Sequence, residues 1–199
     1  VTSRTANVST SGTFGQFLGG VTGPGGLLTG DTALLMHLRE DQAGRSNIGV
    51  LNAGRREARV RVVLYDGSGI EVARANRRIE PRQTLQLNRP FETHGGRTDI
   101  RVGYARVTVL DGEEVVAYGS VVDNRTGDPV YIPASSLASE PVFIPATAHV
   151  SGAVGTDWRT DVELHNPGTE TGEYEVSVLL TGEDNSTPAS SIQTVTAGG

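Results

Sequence analysis

The sequence predicts an all-β protein built from antiparallel β-sandwich modules, and three observations lead to this fold class. Short segments with apolar residues at every second position recur along the chain, as in half-buried strands. Turn residues separate these segments at short intervals, and glycine is abundant, with 26 residues. One stretch of sequence also occurs twice, which indicates an internal repeat. At 199 residues, the chain has room for one large domain or for two modules of about 100 residues each, and the repeat favours two modules.

Composition excludes several other classes of protein. Hydrophobic residues make up 36% of the chain and charged residues 20%, which is neither a disordered nor a membrane composition. The longest apolar runs have the length of a strand, well short of the roughly 20 residues that a membrane helix needs. Every basic residue is arginine, and the net charge of −6 argues against nucleic acid as a partner.

The first clear strands lie in the middle of the chain. Residues 57–65 alternate Ala, Val and Leu with Arg, and the turn residues 66–69 follow. We expect residues 70–79 to return as the hairpin partner and residues 84–88 to form another strand. Residues 89–96 are the one segment in which we expect a helical turn.

A second hairpin is predicted from the dipeptide Asp111-Gly112. Residues 103–110 and 114–123 flank this dipeptide, and both are rich in Val and Ala at alternate positions. Asp-Gly between two such segments is a strong signal for a tight hairpin turn. The sequence therefore predicts that these two strands pair with each other.

The internal repeat aligns residues 45–54 with residues 159–168. Each copy then runs into an alternating strand, around Val60 in the first copy and Val176 in the second. A further correspondence links the start of the chain, residues 1–18, to residues 116–132. Its matched positions are Ser3 with Ser120, Asn7 with Asn124, Gly12 with Gly127, and Phe17-Leu18 with Tyr131-Ile132.

These alignments predict the order of the modules along the chain. The predicted segments are terminal strands of a partial module at 1–20, a Gly-rich linker at 21–31, a complete sandwich at 32–134, a linker at 135–141, and the first half of a second sandwich at 142–199. The second module lacks counterparts of residues 85–115. The N-terminal strands of the same molecule, strands of a neighbouring subunit, or further residues of a longer chain would complete it.

Completion by a neighbour would produce an assembly. An unsatisfied sheet edge with an apolar face favours the addition of a strand, and head-to-tail addition between copies builds a filament. The candidate residues for the assembling strands all lie near the N-terminus: Val1, Ser3, Thr5, Phe14, Phe17 and Leu18.

Two segments carry a resemblance to a known family. Residues 143–150 (FIPATAHV), followed by residues 155–168 (GTDWRTDVELHNPG), resemble the opening of an immunoglobulin-like repeat of large secreted or surface proteins of bacteria. Residues 122–134 (VDNRTGDPVYIPA) are similar to the end of such repeats. The resemblance implies two immunoglobulin-like sandwich modules, an extracellular or cell-surface location, and a role as a spacer or accessory domain.

One cluster could bind a ligand. Asp157, Trp158 and Arg159 place the only tryptophan between a carboxylate and a guanidinium, and Tyr174 adds a second aromatic residue. Such a set would suit a glycan or a protein partner. The alternative is structural, with Trp158 covering the end of the sandwich and Arg159 paired with a carboxylate.

No pattern in the sequence indicates catalysis or a cofactor. The chain has no cysteine, its four histidines lack the spacing of metal ligands, and no nucleophile motif precedes a helix. We expect no enzyme, no metal and no cofactor. The sequence thus favours a structural or adhesive extracellular protein, whose partners are copies of itself or adjacent modules. The alternative is a carbohydrate- or protein-binding accessory module.

Overall fold

The computed structural model of the chain describes residues 1–10, 12–22, 25–136 and 141–198. It contains two compact units, Val1–Leu137 and Ala138–Gly199, which we treat separately. Most of the predicted linker at 135–141 lies outside the described residues. No helix in the described part of the chain has the length and apolar character needed to span a bilayer.

The first unit is a β-sandwich with an additional hairpin. Its elements are β1 Thr2–Ser9, β2 Gly12–Gly19, β3 Thr32–Glu40, β4 Gly44–Asn52, β5 Ala58–Asp66, β6 Glu71–Ile79, β7 Thr84–Asn88, α1 Pro90–Gly95, β8 Ile100–Asp111, β9 Val115–Asp123 and β10 Pro129–Pro133. Sheet I has the strand order β10-β9-β4-β7, and sheet II has the order β3-β8-β5-β6. Every strand pair is antiparallel, which confirms the all-β prediction.

The core lies between the two sheets and follows from the alternation of residues. In β5, Ala58, Val60, Val62 and Leu64 are buried, whereas Arg59 and Arg61 point outward. Residues of both sheets complete this core, among them Ile48 and Val50 of β4, Val107 and Val109 of β8, and Phe91 of α1. The predicted hairpin of residues 57–65 and 70–79 is confirmed as β5 and β6, and the helical turn is confirmed as α1.

The predicted pairing of residues 103–110 with 114–123 is wrong. Strand β8 pairs with β3 and β5 in sheet II, whereas β9 pairs with β4 and β10 in sheet I. The chain does turn at Gly112, which has a φ of +135°. However, residues 27–31 insert beside this turn, where the Leu27 and Val115 backbones bond each other and Gly30 N–H donates to Val109 O at 2.8 Å. Leu27 also packs against the core.

The N-terminal hairpin of β1 and β2 lies on the outer face of sheet I. A Cβ on Gly119 would meet Leu38 and Ile132, so Gly119 faces the core and the next residue, Ser120, faces outward. Ser120 is nevertheless only 5% exposed. Its hydroxyl donates to Gln16 Oε1 of β2 at 3.1 Å, so the hairpin covers this position.

The second unit consists of two small hairpins. Its elements are β11 His149–Ser151, a short 3-10 helix Ala153–Gly155, β12 Asp157–Arg159, β13 Gly172–Val178 and β14 Ala189–Val195. Strand β11 pairs with β12, and β13 pairs with β14. Among the residues of this unit whose burial the structure describes, only Asn166 is buried.

Candidate interaction surfaces

Two asparagines occupy matching positions of the sequence repeat and make matching hydrogen bonds. Asn52 Nδ2 donates to Arg56 O at 2.7 Å and to Ile79 O at 2.9 Å, and Asn52 Oδ1 accepts from Gly54 N–H at 3.0 Å. Ile79 is the last residue of β6. The side chain therefore fastens the end of β4 to the base of the β5–β6 hairpin.

Asn166 repeats this arrangement in the second unit. Its Nδ2 donates to Glu170 O at 2.7 Å and to Val195 O at 2.9 Å, and its Oδ1 accepts from Gly168 N–H at 3.0 Å. Val195 is the last residue of β14, as Ile79 is of β6. We call each of these arrangements an asparagine clip. The hairpin begins six residues after the asparagine in both units, whereas the bonded carbonyl at its end lies 27 residues after Asn52 and 29 residues after Asn166.

The β13–β14 hairpin matches β5–β6 in pattern but not in burial. At the repeat spacing, Gly172, Tyr174, Val176 and Val178 correspond to the four buried residues of β5. Tyr174 and Val176 are half-buried, and Val178 is 52% exposed. We call this the open face of the second unit. Its residues lack the cover that sheet I provides for β5.

The segment that follows β12 corresponds to β4. Residues 158–166 align with Gly44–Asn52, and Val162 stands where β4 has the buried Ile48. Val162 is 48% exposed. Residues 160–166 belong to none of the strands that the structure describes. The apolar residues of this segment and of the open face thus align with residues that form the core of the first unit.

The predicted assembly residues fall on two faces of the N-terminal hairpin. Pairing of Ser3 with Leu18 and of Asn7 with Phe14 places the side chains of Val1, Ser3, Thr5, Phe14 and Leu18 on one face by alternation. Phe14 and Leu18 are half-buried there. Phe17 lies on the opposite face, 67% exposed, with the Arg4 guanidinium 6.0 Å from its ring centroid.

The predicted ligand cluster is held by β11 and β12. Asp157 Oδ1 accepts from the Ser151 hydroxyl at 3.1 Å, and Arg159 lies 2.6 Å from Nε2 of His149 across the strand pair. Trp158 is 63% exposed, and its ring lies beside Gly152, where a Cβ would contact it. The sequence did not predict the His149 contact, because strand pairing rather than sequence spacing brings the two residues together.

Tyr174 lies on β13, which pairs with β14, whereas Trp158 lies on β12, which pairs with β11. It is half-buried, and its ring lies close to Gly172 of the same strand. Strand pairing thus brings together Asp157, Arg159, Ser151 and His149, and it places Tyr174 on the open face.

The strongest electrostatic arrangements stabilise turns and helix ends. Arg39 donates two hydrogen bonds to Asp41. Together with the N–H groups of Ala43 and Gly44, these bonds lower the pKa of the Asp41 carboxyl to about 2.

Glu40 is fully buried, and burial raises the pKa of its carboxyl. The carboxylate accepts hydrogen bonds from Arg89 Nε at 3.2 Å and from Phe91 N–H at 3.3 Å. Within the described residues, no three acidic, His or Cys side chains converge as a metal site.

Comparisons with known proteins found two similar solved structures, both at low sequence identity. No family model matches the chain, and no curated protein matches it. A crystal structure of Thermotoga maritima 1070 is similar over 55% of this chain and 96% of its own, with 12% identity and a TM-score of 0.44. The Anabaena sensory rhodopsin transducer is similar over 47% of this chain and 98% of its own, with 15% identity and a TM-score of 0.37.

Proposed function

We propose that this chain is a structural β-sandwich repeat protein of the bacterial cell exterior, which serves as a stalk or filament subunit and not as an enzyme. The observation that carries the proposal is the pair of asparagine clips. A buried amide that makes similar backbone hydrogen bonds in both units supports the interpretation of two copies of one module. The first copy is a complete sandwich, and the second repeats the clip and the hairpin that follows it.

The open face supports an assembly role. Large apolar surfaces on soluble proteins mark sites of interaction, and a hairpin of two strands is at best marginally stable alone. The second unit exposes Val178 of the open face and Val162, which aligns with the buried Ile48 of β4. A chain that covers these residues with strands of a neighbour forms a heterologous contact that repeats from copy to copy. Such contacts build filaments when the rotation between copies does not close a ring.

The extracellular location rests on the resemblance to bacterial surface and secreted repeats. Proteins of that kind use sandwich modules as spacers or adhesive segments. The absence of catalytic spacing in the sequence is in keeping with such a role.

Electron microscopy of the purified chain tests the assembly. We expect long regular filaments at micromolar concentration and their loss in Val178→Asp, which places a charge on the open face. Ser177→Asp is the matched control, because Ser177 is the adjacent residue on the opposite, exposed face of β13. Single particles at every concentration would contradict the proposal.

The second candidate is a carbohydrate- or protein-binding accessory module. The exposed Trp158 favours it, because exposed aromatic rings stack on sugars and anchor protein contacts. Strand alternation in β12 places Asp157 and Arg159 on the face opposite Trp158. A glycan array with Trp158→Ala tests this candidate, and Phe143→Ala, another exposed aromatic position, is the control. Glycan binding that only Trp158→Ala removes would favour the binding module over the filament.

A further inference from the structure

The pairing of β1 with β2 matches that of β9 with β10. In the first hairpin, Ser3 pairs with Leu18 and Thr5 with Gln16. In the second, Gly119 pairs with Ile132 and Val121 with Val130. With Leu18 matched to Ile132, as in the sequence alignment, Ser3 therefore corresponds to Gly119. The matched positions along β1 shift by one residue from those that the alignment predicts.

This correspondence identifies the face of β1 that would meet a core. Val1 then stands at the position of Ala117, Ser3 at that of Gly119 and Thr5 at that of Val121. Ala117 is buried, Val121 packs against the core, and Gly119 lies beside Leu38. Val1, Ser3 and Thr5 share one face of β1 with Leu18 and Phe14 of β2.

The partner of β9 in the complete sandwich is β4. Ala117 pairs with Val50, Gly119 with Ile48 and Val121 with Ser46. At the repeat spacing, the counterparts of Val50, Ile48 and Ser46 are Leu164, Val162 and Thr160. The complete sandwich thus provides a template for how a hairpin such as β1–β2 would pair with residues 160–164.

We propose that β1 of one copy adds as an antiparallel strand to residues 160–164 of a second copy. Val1 lies opposite Leu164, Ser3 opposite Val162, and Thr5 opposite Thr160. This inference rests on the proposed function and names the donor, the acceptor and the register of the contact. Backbone hydrogen bonds supply the affinity, and the apolar residues that alternate along the segment set the register.

The charges of the two segments agree with this register. Ser120 pairs with Asn47 in the complete sandwich, and their counterparts are Arg4 and Asp161. Directly opposed residues of opposite charge stabilise an antiparallel pair, whereas like charges destabilise it. A shift by one residue would separate this pair and would turn Val162 away from the core side.

The donor and the acceptor belong to different compact units of the chain. Gln16 pairs with Thr5, so the face that carries Val1, Ser3 and Thr5 lies against Ser120 of its own sandwich, and strand addition requires the hairpin to leave this surface. The other edge of β1 pairs with no strand in the described residues. Each copy thus carries one donor and one acceptor. Pairing between copies leaves one of each free at the two ends of any oligomer, so the contact repeats.

Cysteine cross-linking tests the register, because the chain has no cysteine of its own. We would make the double variants Thr5→Cys/Thr160→Cys and Arg4→Cys/Asp161→Cys. Neighbouring pairs in an antiparallel ladder alternate in their Cα separation, so the two variants sample both geometries, and disulfides need closely spaced Cβ atoms. The control is Thr5→Cys/Asp157→Cys, which is displaced by three residues.

We expect mild oxidation to give a ladder of covalent oligomers on a non-reducing gel for at least one of the two in-register variants. The control should give none. A disulfide confined to monomers would overturn the proposal, since the hairpin would then close on its own chain. Filaments without a cross-link in either variant would overturn this register and leave the proposed function intact. Neither filaments nor cross-links would overturn both.

A charge exchange provides a second test in the cysteine-free background. We expect Arg4→Asp and Asp161→Arg each to raise the concentration at which half of the chains are assembled by about fivefold. The double exchange Arg4→Asp/Asp161→Arg should restore the original concentration. If the double variant assembles no better than the single variants, the Arg4–Asp161 contact is contradicted.

Discussion

At the scale of single residues, the asparagine clips link sequence to architecture most directly. Asn52 is fully buried and bonds backbone groups on both sides of the β5–β6 hairpin. Buried polar side chains cost free energy unless their hydrogen bonds are complete, so such a side chain accepts few substitutions. The aligned segments 45–54 and 159–168 both contain Asn-x-Gly, which is the sequence signal that could have predicted the clips.

The first prediction concerns this side chain. Asn52→Ala should lower the free energy of unfolding by about 2–3 kcal/mol, because it leaves buried backbone carbonyls without donors. Asn76→Ala is the control, since Asn76 is an exposed asparagine of β6 that accepts one hydrogen bond from Arg61. Its effect should stay below about 0.5 kcal/mol. Urea unfolding, monitored by far-UV circular dichroism, measures the free energy of unfolding of both variants. Equal effects would contradict the role of the clip.

Glu40 is a second buried polar residue with a clear structural role. It bonds the backbone N–H of Phe91 at the start of α1 and the side chain of Arg89. Arg89 has a left-handed backbone with a φ of 48°, and it also contacts Glu92 at 2.9 Å. The carboxylate thus holds a strained connection between β7 and α1 in place.

The second prediction follows from the raised pKa of Glu40. The folded protein keeps this proton at pH values where the unfolded chain has lost it, so stability falls as pH rises from the ordinary carboxyl range through the folded pKa. Glu40→Gln should remove this part of the pH dependence. Urea unfolding of both proteins between about pH 4 and pH 8 measures it. The pKa of Asp41, about 2, lies below this window. Parallel curves for the two proteins would contradict the prediction.

At the scale of elements, local pattern predicted the strands better than their pairing. The alternation around Val60 and the turn after Asp66 predicted the β5–β6 hairpin correctly. The Asp111-Gly112 turn predicted a β8–β9 hairpin, but the two strands lie in different sheets. A turn sequence specifies a reversal of the chain and not the sheet that the next strand joins. Here residues 27–31 insert beside the turn and bond Val109 and Val115, so that β8 and β9 join different sheets.

The same limit applies to the candidate interaction residues. Asp157, Trp158 and Arg159 are adjacent in sequence, but β12 places Trp158 on the face opposite the other two. The contact of Arg159 with His149 depends on the β11–β12 register. The faces of the N-terminal hairpin likewise depend on its strand pairing. That pairing matches Ser3 to Gly119, one residue from the Ser120 that the sequence alignment assigned to it.

The third prediction concerns packing on the outer face of sheet I. The Tyr118 ring lies over Gly49 on the neighbouring strand and occupies the space of a Cβ there. Gly49→Val should therefore destabilise the protein by about 1–3 kcal/mol through overpacking. Gly19→Ala is the control, because a Cβ at this strand position meets nothing. Thermal unfolding measures both changes. An unchanged melting temperature in Gly49→Val would contradict this packing.

At the scale of the whole molecule, the two units differ in how much they bury. The first unit has a continuous core across two sheets, and the second buries Asn166 alone among the residues whose burial is described. Local stability follows buried apolar contact, so the two units should differ strongly in their opening free energies. This contrast predicts that the second unit is the less stable of the two.

The fourth prediction follows from this contrast. In dilute solution, backbone amides of β5 and β8 should exchange with solvent about 100-fold more slowly than those of β13 and β14. At high concentration, the amides of residues 160–164 should become protected as strands add. Hydrogen-deuterium exchange with mass spectrometry at two concentrations measures both effects. Equal protection of β13 and β5 in dilute solution would contradict the description of the open face.

The most direct test of the central claim, that copies of this chain assemble through the second unit, is the molar mass in solution as a function of concentration. Light scattering should show a weight-average mass that rises steadily above the 20.9 kDa of one chain. Val162→Arg, which places a charge at the proposed contact, should hold the mass near that value. A mass of 20.9 kDa for the unaltered chain at every concentration would contradict the account.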